Sequence, residues 1–390
     1  MTLDSPIDNE IRDDKAGMRA ALAWSARGRG QTSPRPSVGA VIVQDGRVIG
    51  GGHTQRGDGN PHAEVMALRA ARDAGFDTRG ATAYVTLEPC SHFRSTPPCT
   101  SALIEAGVAR VVCGVRDPNP AVNGQGHTLL RAAGIEVVEA FMEAECARAQ
   151  DHFLVHIAEN RPFITLKCAV SLDGKIATQT GESQWISSET SRRRGHEMRA
   201  DHDAILVGVE TVLADDPRLS VRLENNSIPF QPARVVLDSR GRLAEYVNHI
   251  RLFAGSTAED TPLYVATSRA LSQDNRDVLE AHGATVLVTD SDDLVNIHDL
   301  WQQLYARDIC SVLVEGGARV AGAVLASGTV DKVQFFVAPL LIGGDGLNAV
   351  AGFGIEALSS APRLCHVQIE QMENDVAISG YTRRLPGMCE

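Results

Sequence analysis

Four residues in the first third of the chain have the types and spacing of a hydrolytic metal site: His62, Glu64, Cys90 and Cys99. His62 lies in Pro61-His62-Ala63-Glu64 at the opening of a helical pattern, with Pro61 suited to a first turn. His62 and Glu64 therefore sit where a helix N-terminus meets a cleft. Cys90 follows Glu88-Pro89 after the strand pattern TAYVTL, and Pro98-Cys99-Thr100 launches a further helix. Free N–H groups and the dipole at a helix N-terminus favour a thiolate and prepare it as a ligand. One imidazole and two thiolates give Zn2+ three protein ligands and leave a fourth position for water, the catalytic rather than the structural arrangement. A metal in such a site lowers the pKa of its water, and a nearby carboxylate can take the proton and pass it to a leaving amine, a role that Glu64 fits. A closed structural site would need a fourth ligand, for which His92 is the only nearby candidate.

The elements that must position these residues alternate. From about residue 10 to 150 run a helix (GMRAALAWSARG), a strand (VGAVIVQDG), a helix (HAEVMALRAAR), a strand (TAYVTL), a helix (TSALIEAG) and a strand (RVVCGV), which predicts a three-layer α/β domain. Residues 141–160 turn charged and helical, and Pro162 precedes the apolar strand FITLKCAV, which places a boundary there. A second α/β domain, 161–390, follows, with strands at AILVGV, ARVVLDS, PLYVAT, ATVLVT, SVLVEGG and KVQFFVAP and two polar-alternating strands near CHVQIEQ and DVAISGYT. This pattern predicts a mostly parallel sheet with an antiparallel C-terminal edge. The segment 223–232, LENNSIPFQP, reads as a surface loop.

Bulk properties exclude several classes of function. The 390 residues suit two or three domains, and 43% hydrophobic with 22% charged residues is an ordinary globular composition. A formal charge of −12 and 5% aromatics oppose nucleic acid or anionic lipid as a partner, so a phosphate on any substrate must be met by local Arg or Lys. The acidic opening MTLDSPIDNEIRDDK reads as neither a secretory signal nor a transit peptide, and the apolar run VQFFVAPLLIGG is too short to span a bilayer. Eight scattered cysteines are too sparse for a disulfide framework and suggest a reducing, cytoplasmic setting.

The order H-x-E, P-C and a second Cys is the signature of zinc deaminases, with eight residues rather than two between the cysteines. With HAEVMAL, LEPCSHFRSTPPC, ALIEAGVARVV and DPNP, the first domain resembles the deaminase domain of the bifunctional riboflavin-biosynthesis deaminase/reductases, within the cytidine-deaminase-like superfamily. The wide cysteine spacing is that family's own. The resemblance continues through LKCAVSLDGKIA, GESQWIS, MRADHDAILVG, TVLADDPRLSVR, RVVLDS, LVEGGARVAGAVL and APLLIGG, and so covers nearly the whole chain from about residue 15. It implies a cytidine-deaminase-like domain followed by a dihydrofolate-reductase-like one. The implied activity is deamination of a 2,5-diaminopyrimidinone ribosylamino phosphate, then NADPH-dependent reduction of its ribosyl group. It also implies a small phosphorylated pyrimidine as the substrate and a homo-oligomer formed through the reductase domain.

Read from its own residues, the second half offers a Gly-rich turn from Gly316 to Gly322 after an apolar strand, where free N–H groups could receive a phosphate. Lys167 and Glu315 lie toward strand C-termini, where open α/β sheets gather ligands, and are expected to orient the substrate. Carried over from the family, Ala169, Trp185, Thr211, Asp215, Gly317, Ala318, Arg319, Val320, Ala321, Gly322 and Ala323 match cofactor-contacting positions. Ser183, Arg199, Leu219, Arg222 and Glu315 match substrate positions, with Arg199 and Arg222 able to fork onto a phosphate. In the first domain His53, His92, Asp117 and Asn119 are the implied substrate contacts. Asp173 in SLDGK reads as a turn-former.

Three departures from the family pattern fall in the deaminase half. The segment T-x-P-N-P, whose Asn contacts the pyrimidine in relatives, reads Thr32-Ser33-Pro34-Arg35-Pro36. Ser95 stands where relatives have a basic residue, and the run from His53 to His62 is about two residues longer than usual. None touches the expected zinc ligands or Glu64, so the hydrolytic chemistry is expected to persist while substrate recognition changes. The competing readings are a divergent paralogue acting on a related pyrimidine, a reductase with an impaired deaminase half, and a nucleotide-binding module in which zinc is structural. Glu64 argues against the last, because a structural site has no use for a carboxylate beside its ligand.

Overall fold

A computed structural model describes residues 10–57, 59–93, 97–120, 122–223, 230–253 and 261–386. The chain forms two compact units that divide between Asn160 and Arg161, and the tail residues Leu385 and Pro386 group with the first.

In the first unit the elements are α1 (Asp14–Gly28), β1 (Gly39–Gln44), β2 (Arg47–His53), α2 (Ala63–Asp73), β3 (Thr82–Leu87), α3 (Cys99–Glu105), β4 (Arg110–Val115), α4 (Gln125–Ala132), β5 (Glu136–Val138), α5 (Glu143–Ala149) and α6 (Asp151–Glu159). The sheet order is β2-β1-β3-β4-β5, with β1 antiparallel to both neighbours and β3, β4 and β5 parallel. Nearly every residue of β1, β3 and β4 is buried, as a sheet covered on both faces requires. Three successive glycines in β2 set the spacing of the two covering layers. A Cβ on Gly51 would meet the Trp24 ring of α1 at 2.2 Å, and one on Gly50 would meet the Ala67 carbonyl of α2 at 2.2 Å. Only glycine lets both helices approach so closely, and it is this contact that seats the N-terminus of α2, where His62 stands.

The second unit contains β6 (Phe163–Ser171), β7 (Lys175–Ala177), α7 (Glu189–Asp201), β8 (Ala204–Gly208), α8 (Val209–Asp215), β9 (Ala233–Leu237), β10 (Leu263–Thr267), α9 (Gln273–Ala281), β11 (Ala284–Val288), α10 (Ile297–Tyr305), β12 (Ser311–Val314), α11 (Ala318–Ala326), β13 (Lys332–Ala338), β14 (Leu347–Asn348), β15 (Cys365–Met372) and β16 (Asp375–Tyr381). Its nine-stranded sheet runs β11-β10-β9-β8-β12-β6-β13-β16-β15. The first seven strands are parallel, and β16 and β15 are antiparallel additions at one edge. The core between sheet and helices is anchored by fully buried Trp301, whose Nε1–H donates to Thr329 Oγ1 at 2.8 Å. Buried Asp331 accepts from Arg161 and Arg383 at 2.7 and 2.6 Å, so its charge is paired rather than stranded. The loop at 223–232 lies mostly outside the described residues.

Candidate active site

In the first unit, His62 caps the N-terminus of α2 and Cys99 is the first residue of α3. Cys90 follows β3, and its sulfur accepts the Cys99 N–H at 3.3 Å, a helix-terminal donor that steadies a thiolate. His62 Nδ1 lies 3.5 Å from Cys90 Sγ and 3.2 Å from Cys99 Sγ, and the three donor atoms all fall within 4.8 Å of one another. A nitrogen and two sulfurs converging on one point fit Zn2+ in donor type and number. The Cys90 thiol is drawn down by its bond with the Cys99 thiol, while that same bond and burial push Cys99 up. Binding a cation at this point requires both sulfurs as thiolates. His92 does not join the group. Among the described residues the group has three members, leaving a fourth position open, and the His92 Nδ1 is buried without a hydrogen-bond partner.

Glu64, in the first turn of α2, is 3% exposed, and burial raises its carboxyl above its ordinary value. A carboxyl whose burial favours its protonated form is suited to accept a proton and return it. His53 ends β2, stacks on Trp24 at 6.2 Å and has its Nδ1 3.0 Å from the Thr54 carbonyl.

Two features escape sequence reasoning. Glu88, buried two residues before Cys90, accepts backbone N–H groups from Asp117 at 3.4 Å, Gly124 at 2.9 Å and Gly126 at 3.1 Å. It therefore ties the metal-binding turn to the loop holding Asp117 and Asn119, where the Asn119 N–H donates to Asp117 Oδ1 at 2.9 Å. The Glu-Pro-Cys sequence was the only signal that could have pointed to it. The second feature is Arg35, whose guanidinium donates to the carbonyls of Gln55 and Gly57, each at 2.8 Å, and Asn60 at 3.2 Å. Ser95, the other departure, lies outside the described residues.

In the second unit, Glu315 follows β12 directly. Lys167 stands mid-strand in β6 rather than near its C-terminus, because β6 runs nine residues and β12 only four. The register pairs Leu166 with Val314, which still brings Lys167 level with Glu315. From α7, Arg199 forks onto Glu315 with Nε–Oε1 at 2.9 Å and Nη2–Oε2 at 2.7 Å. The guanidinium expected to fork onto a phosphate is thus already engaged. An almost fully buried carboxylate is the stronger competitor for it. Burial pushes the Glu315 carboxyl up, but Arg199 and Lys167 outweigh it and hold the group at about 2. His196 accepts the Arg222 N–H at 3.2 Å and is lowered to about 4, by burial first and then by Arg199 and Arg222. Arg222 keeps an exposed side chain, with Ser220 Oγ at 3.5 Å. Crowded cations of this kind are relieved by an anionic ligand.

Gly317 caps α11 with no side-chain hydrogen bond at the helix start, and a Cβ there would lie 3.5 Å from Thr211 Oγ1. The helix thus starts with no side chain at Gly317 and with Thr211 beside it, an opening that suits the close approach of a cofactor phosphate. Residues 317–323 do not all face outward. Val320 and Ala321 are buried, and a Cβ on Gly316 would meet Val320 at 2.7 Å, so those two can contribute only main chain, whereas Arg319 and Ala323 are exposed. Asp215 ends α8; burial raises its carboxyl, and the nearby Ser183 and Gln184 side chains act against that rise. Trp185 is 68% exposed, with Arg192 4.7 Å over its ring. Ala169 lies on β6, and buried Leu219 adopts a left-handed backbone at φ 51°. Asp173 receives the N–H groups of Ile342 and Gly343 and anchors a turn.

A three-ligand metal centre beside a buried carboxylate, and a parallel sheet with a bare glycine turn at its C-terminal edge, define a zinc-dependent deaminase joined to a nucleotide-dependent reductase. Residues 11–115 match the family described as cytidine and deoxycytidylate deaminase zinc-binding region, and residues 162–378 match the RibD C-terminal domain. Riboflavin biosynthesis protein RibD of Escherichia coli is 41% identical over 379 residues, covering 94% of this chain and 98% of the relative. That of Aquifex aeolicus is 39% identical, covering 94% and 97%. The crystal structure of a diaminohydroxyphosphoribosylaminopyrimidine deaminase/5-amino-6-(5-phosphoribosylamino)uracil reductase from Thermotoga maritima superposes with a TM-score of 0.81 at 37% identity, over 94% of this chain and 98% of that one. The chain belongs to the RibD family of bifunctional riboflavin-biosynthesis enzymes. It couples a cytidine-deaminase-like zinc domain to a dihydrofolate-reductase-like, NADPH-dependent domain. No helix among the described residues is long and apolar enough to cross a membrane.

Proposed function

We propose that this chain carries two successive steps on one phosphorylated pyrimidine. The domain spanning 10–150 removes an amino group hydrolytically from 2,5-diamino-6-(ribosylamino)pyrimidinone 5′-phosphate. The domain spanning 161–390 then reduces the ribosyl group to a ribityl chain with NADPH. The observation that carries the first step is the convergence of His62, Cys90 and Cys99 beside buried Glu64. Zn2+ held by those three supplies Lewis-acid activation of water when bound. Glu64 takes the proton from the attacking water and delivers it to the exocyclic nitrogen, which departs as ammonia. Its raised carboxyl pKa suits both halves of that transfer. His53, His92, Asp117 and Asn119 contact the pyrimidine.

For the second step, the chain's part is to hold the nicotinamide against the ribosyl carbon. The bare turn at Gly317, with Ala318 and Arg319 after it and Thr211 opposite, receives the cofactor phosphate, and Ala169, Trp185 and Asp215 line its path. Lys167, Ser183, Leu219 and Glu315 orient the substrate, Arg199 holds Glu315 in place, and Arg222 meets the phosphate. A homo-oligomer formed through the second unit is supported by the outer strand β15, whose residues 366–371 are exposed, Val367 and Ile369 among them. A cytoplasmic setting is supported by the free thiols of the described cysteines.

The test is to follow ammonia release and NADPH oxidation separately on zinc-replete protein. Ammonia without NADPH, then oxidation when NADPH is added, establishes the sequence. NADPH oxidation only when the deaminated intermediate is supplied refutes the first half. Glu64→Gln abolishes ammonia release and leaves reduction intact; ammonia release at the wild-type rate refutes the assigned role.

A further inference from the structure

Arg35 replaces the residue through which relatives are expected to contact the pyrimidine, and its guanidinium is spent elsewhere. Nη1 donates to Gln55 O and Gly57 O at 2.8 Å and to Asn60 O at 3.2 Å, and Nη2 donates to Asn60 O at 3.2 Å. Its own backbone is fixed by a turn in which the Arg35 N–H donates to Thr32 O at 2.9 Å and Thr32 Oγ1 to Arg35 O at 3.0 Å. The carbonyls it collects all belong to the run between His53 and His62, which the family pattern leads one to expect about two residues shorter. That segment closes on itself, with the Gln55 N–H donating to Pro61 O and the Asn60 N–H to Gly57 O, each at 3.4 Å. Three carbonyl dipoles turned to one point would repel one another, and a fixed cationic fork is the side chain that reconciles them. The ends of the segment are functional. His53 lies two residues before Gln55, and the metal ligand His62 lies two residues after Asn60.

We propose that Arg35 is a positioning residue for deamination, holding Gln55, Gly57 and Asn60 so that His53 and His62 keep their places on either side of them. The longer loop and the arginine are then one adaptation rather than two departures, each requiring the other. Residue 35 makes no contact with the pyrimidine in this chain, and its removal acts through the placement of His62. The inference rests on the assignment of deamination to the centre at His62, Cys90 and Cys99.

The test uses the full zinc-loaded chain and compares wild type with Arg35→Ala, Arg35→Lys and Glu64→Gln. Reduction of the deaminated intermediate reports the second unit, and Co2+ substituted for Zn2+ reports the ligand geometry and folding of the first through its visible absorption and stoichiometry. Arg35→Ala is expected to lower kcat for ammonia release about 10- to 100-fold, the scale of a misplaced catalytic group, while shifting the cobalt bands at full cobalt occupancy and leaving reduction unchanged. Guanidinium ion at a non-denaturing concentration is expected to restore much of that loss, and Arg35→Lys to fall between, because an ammonium cannot fork. A kcat within about twofold of wild type, or a loss confined to KM, overturns the proposal, the second because it means direct substrate contact. Ammonia release by Glu64→Gln overturns instead the assignment on which the proposal rests.

Discussion

Glu315 is the carboxylate on which the second site is organised, and Glu315→Gln tests that role with little change in volume. The side chain is 9% exposed, and the Arg199 side chain that grips it is 15% exposed, so water screens the pair little. A carboxyl held at about 2 instead of its ordinary 4.5 corresponds to about 3 kcal/mol of stability at neutral pH. The amide removes that charge and leaves Arg199 and Lys167 facing each other, so the loss expected at pH 7 is of that order, about 3 kcal/mol. Because the folded value is depressed, the stabilisation is complete above 4.5 and disappears as pH falls from there through about 2. The gap between wild type and variant should close over the same window. Urea unfolding followed by the emission of Trp185 and Trp301, both in the second unit, measures it. NADPH oxidation is expected to fall steeply in the variant while ammonia release is preserved in the same chain. Equal unfolding midpoints at pH 7, or a gap that persists at low pH, would refute the claim that the buried pair holds this site together.

Three further outcomes follow from the geometry. Chelation of the metal should abolish ammonia release, leave reduction of the deaminated intermediate unaffected, and be reversed by added Zn2+; the paired assays decide it. Glu88→Gln should cost about 2–4 kcal/mol, because the three N–H groups that converge on the carboxylate lose a charged acceptor, and thermal unfolding with an ammonia assay reads both stability and activity. Gly317→Val should raise KM for NADPH by filling the space toward Thr211 Oγ1, 3.5 Å from the added Cβ, without altering deamination, as steady-state kinetics would show.

The elements that follow from periodicity were legible in the sequence, and those that depend on close approach or on charge were not. Continuous apolar runs such as VVL and VLV reach the sheet because both faces are covered. β2 escapes the same reasoning. Its RVIGGGH sequence has the composition of a turn, and it is a strand only because α1 and α2 press on opposite faces of its glycines. α7, ETSRRRGHEMRAD, carries almost no apolar stripe, yet Ser188 caps its start by accepting the Ser191 N–H, and its Gly195 packs beside Lys167. That charged helix delivers Arg199 and His196 to the second site.

The same division runs through the site residues. The metal donors were legible because few residue types can bind zinc, and their spacing carries the chemistry even though α3 brings Cys99 to Cys90 across eight residues. Partners that act through backbone carbonyls or buried charges leave no comparable mark. Arg35 reads in sequence as a cation intruding on a base pocket, and in the fold as the hub of a loop whose carbonyls it gathers. Arg199 reads as a phosphate ligand, and in the fold it is the counter-charge to Glu315. For Arg199, a guanidinium expected to answer an external anion has the chain's own acceptor, Glu315, already beside it, and for Arg35 the acceptors are backbone carbonyls. The ordering is physical: an acceptor already fixed nearby costs no association entropy, so an arginine beside one is committed before any ligand arrives. Arg222, by contrast, keeps an exposed side chain crowded by Arg199 and Arg218, which is why the proposed phosphate contact falls to it.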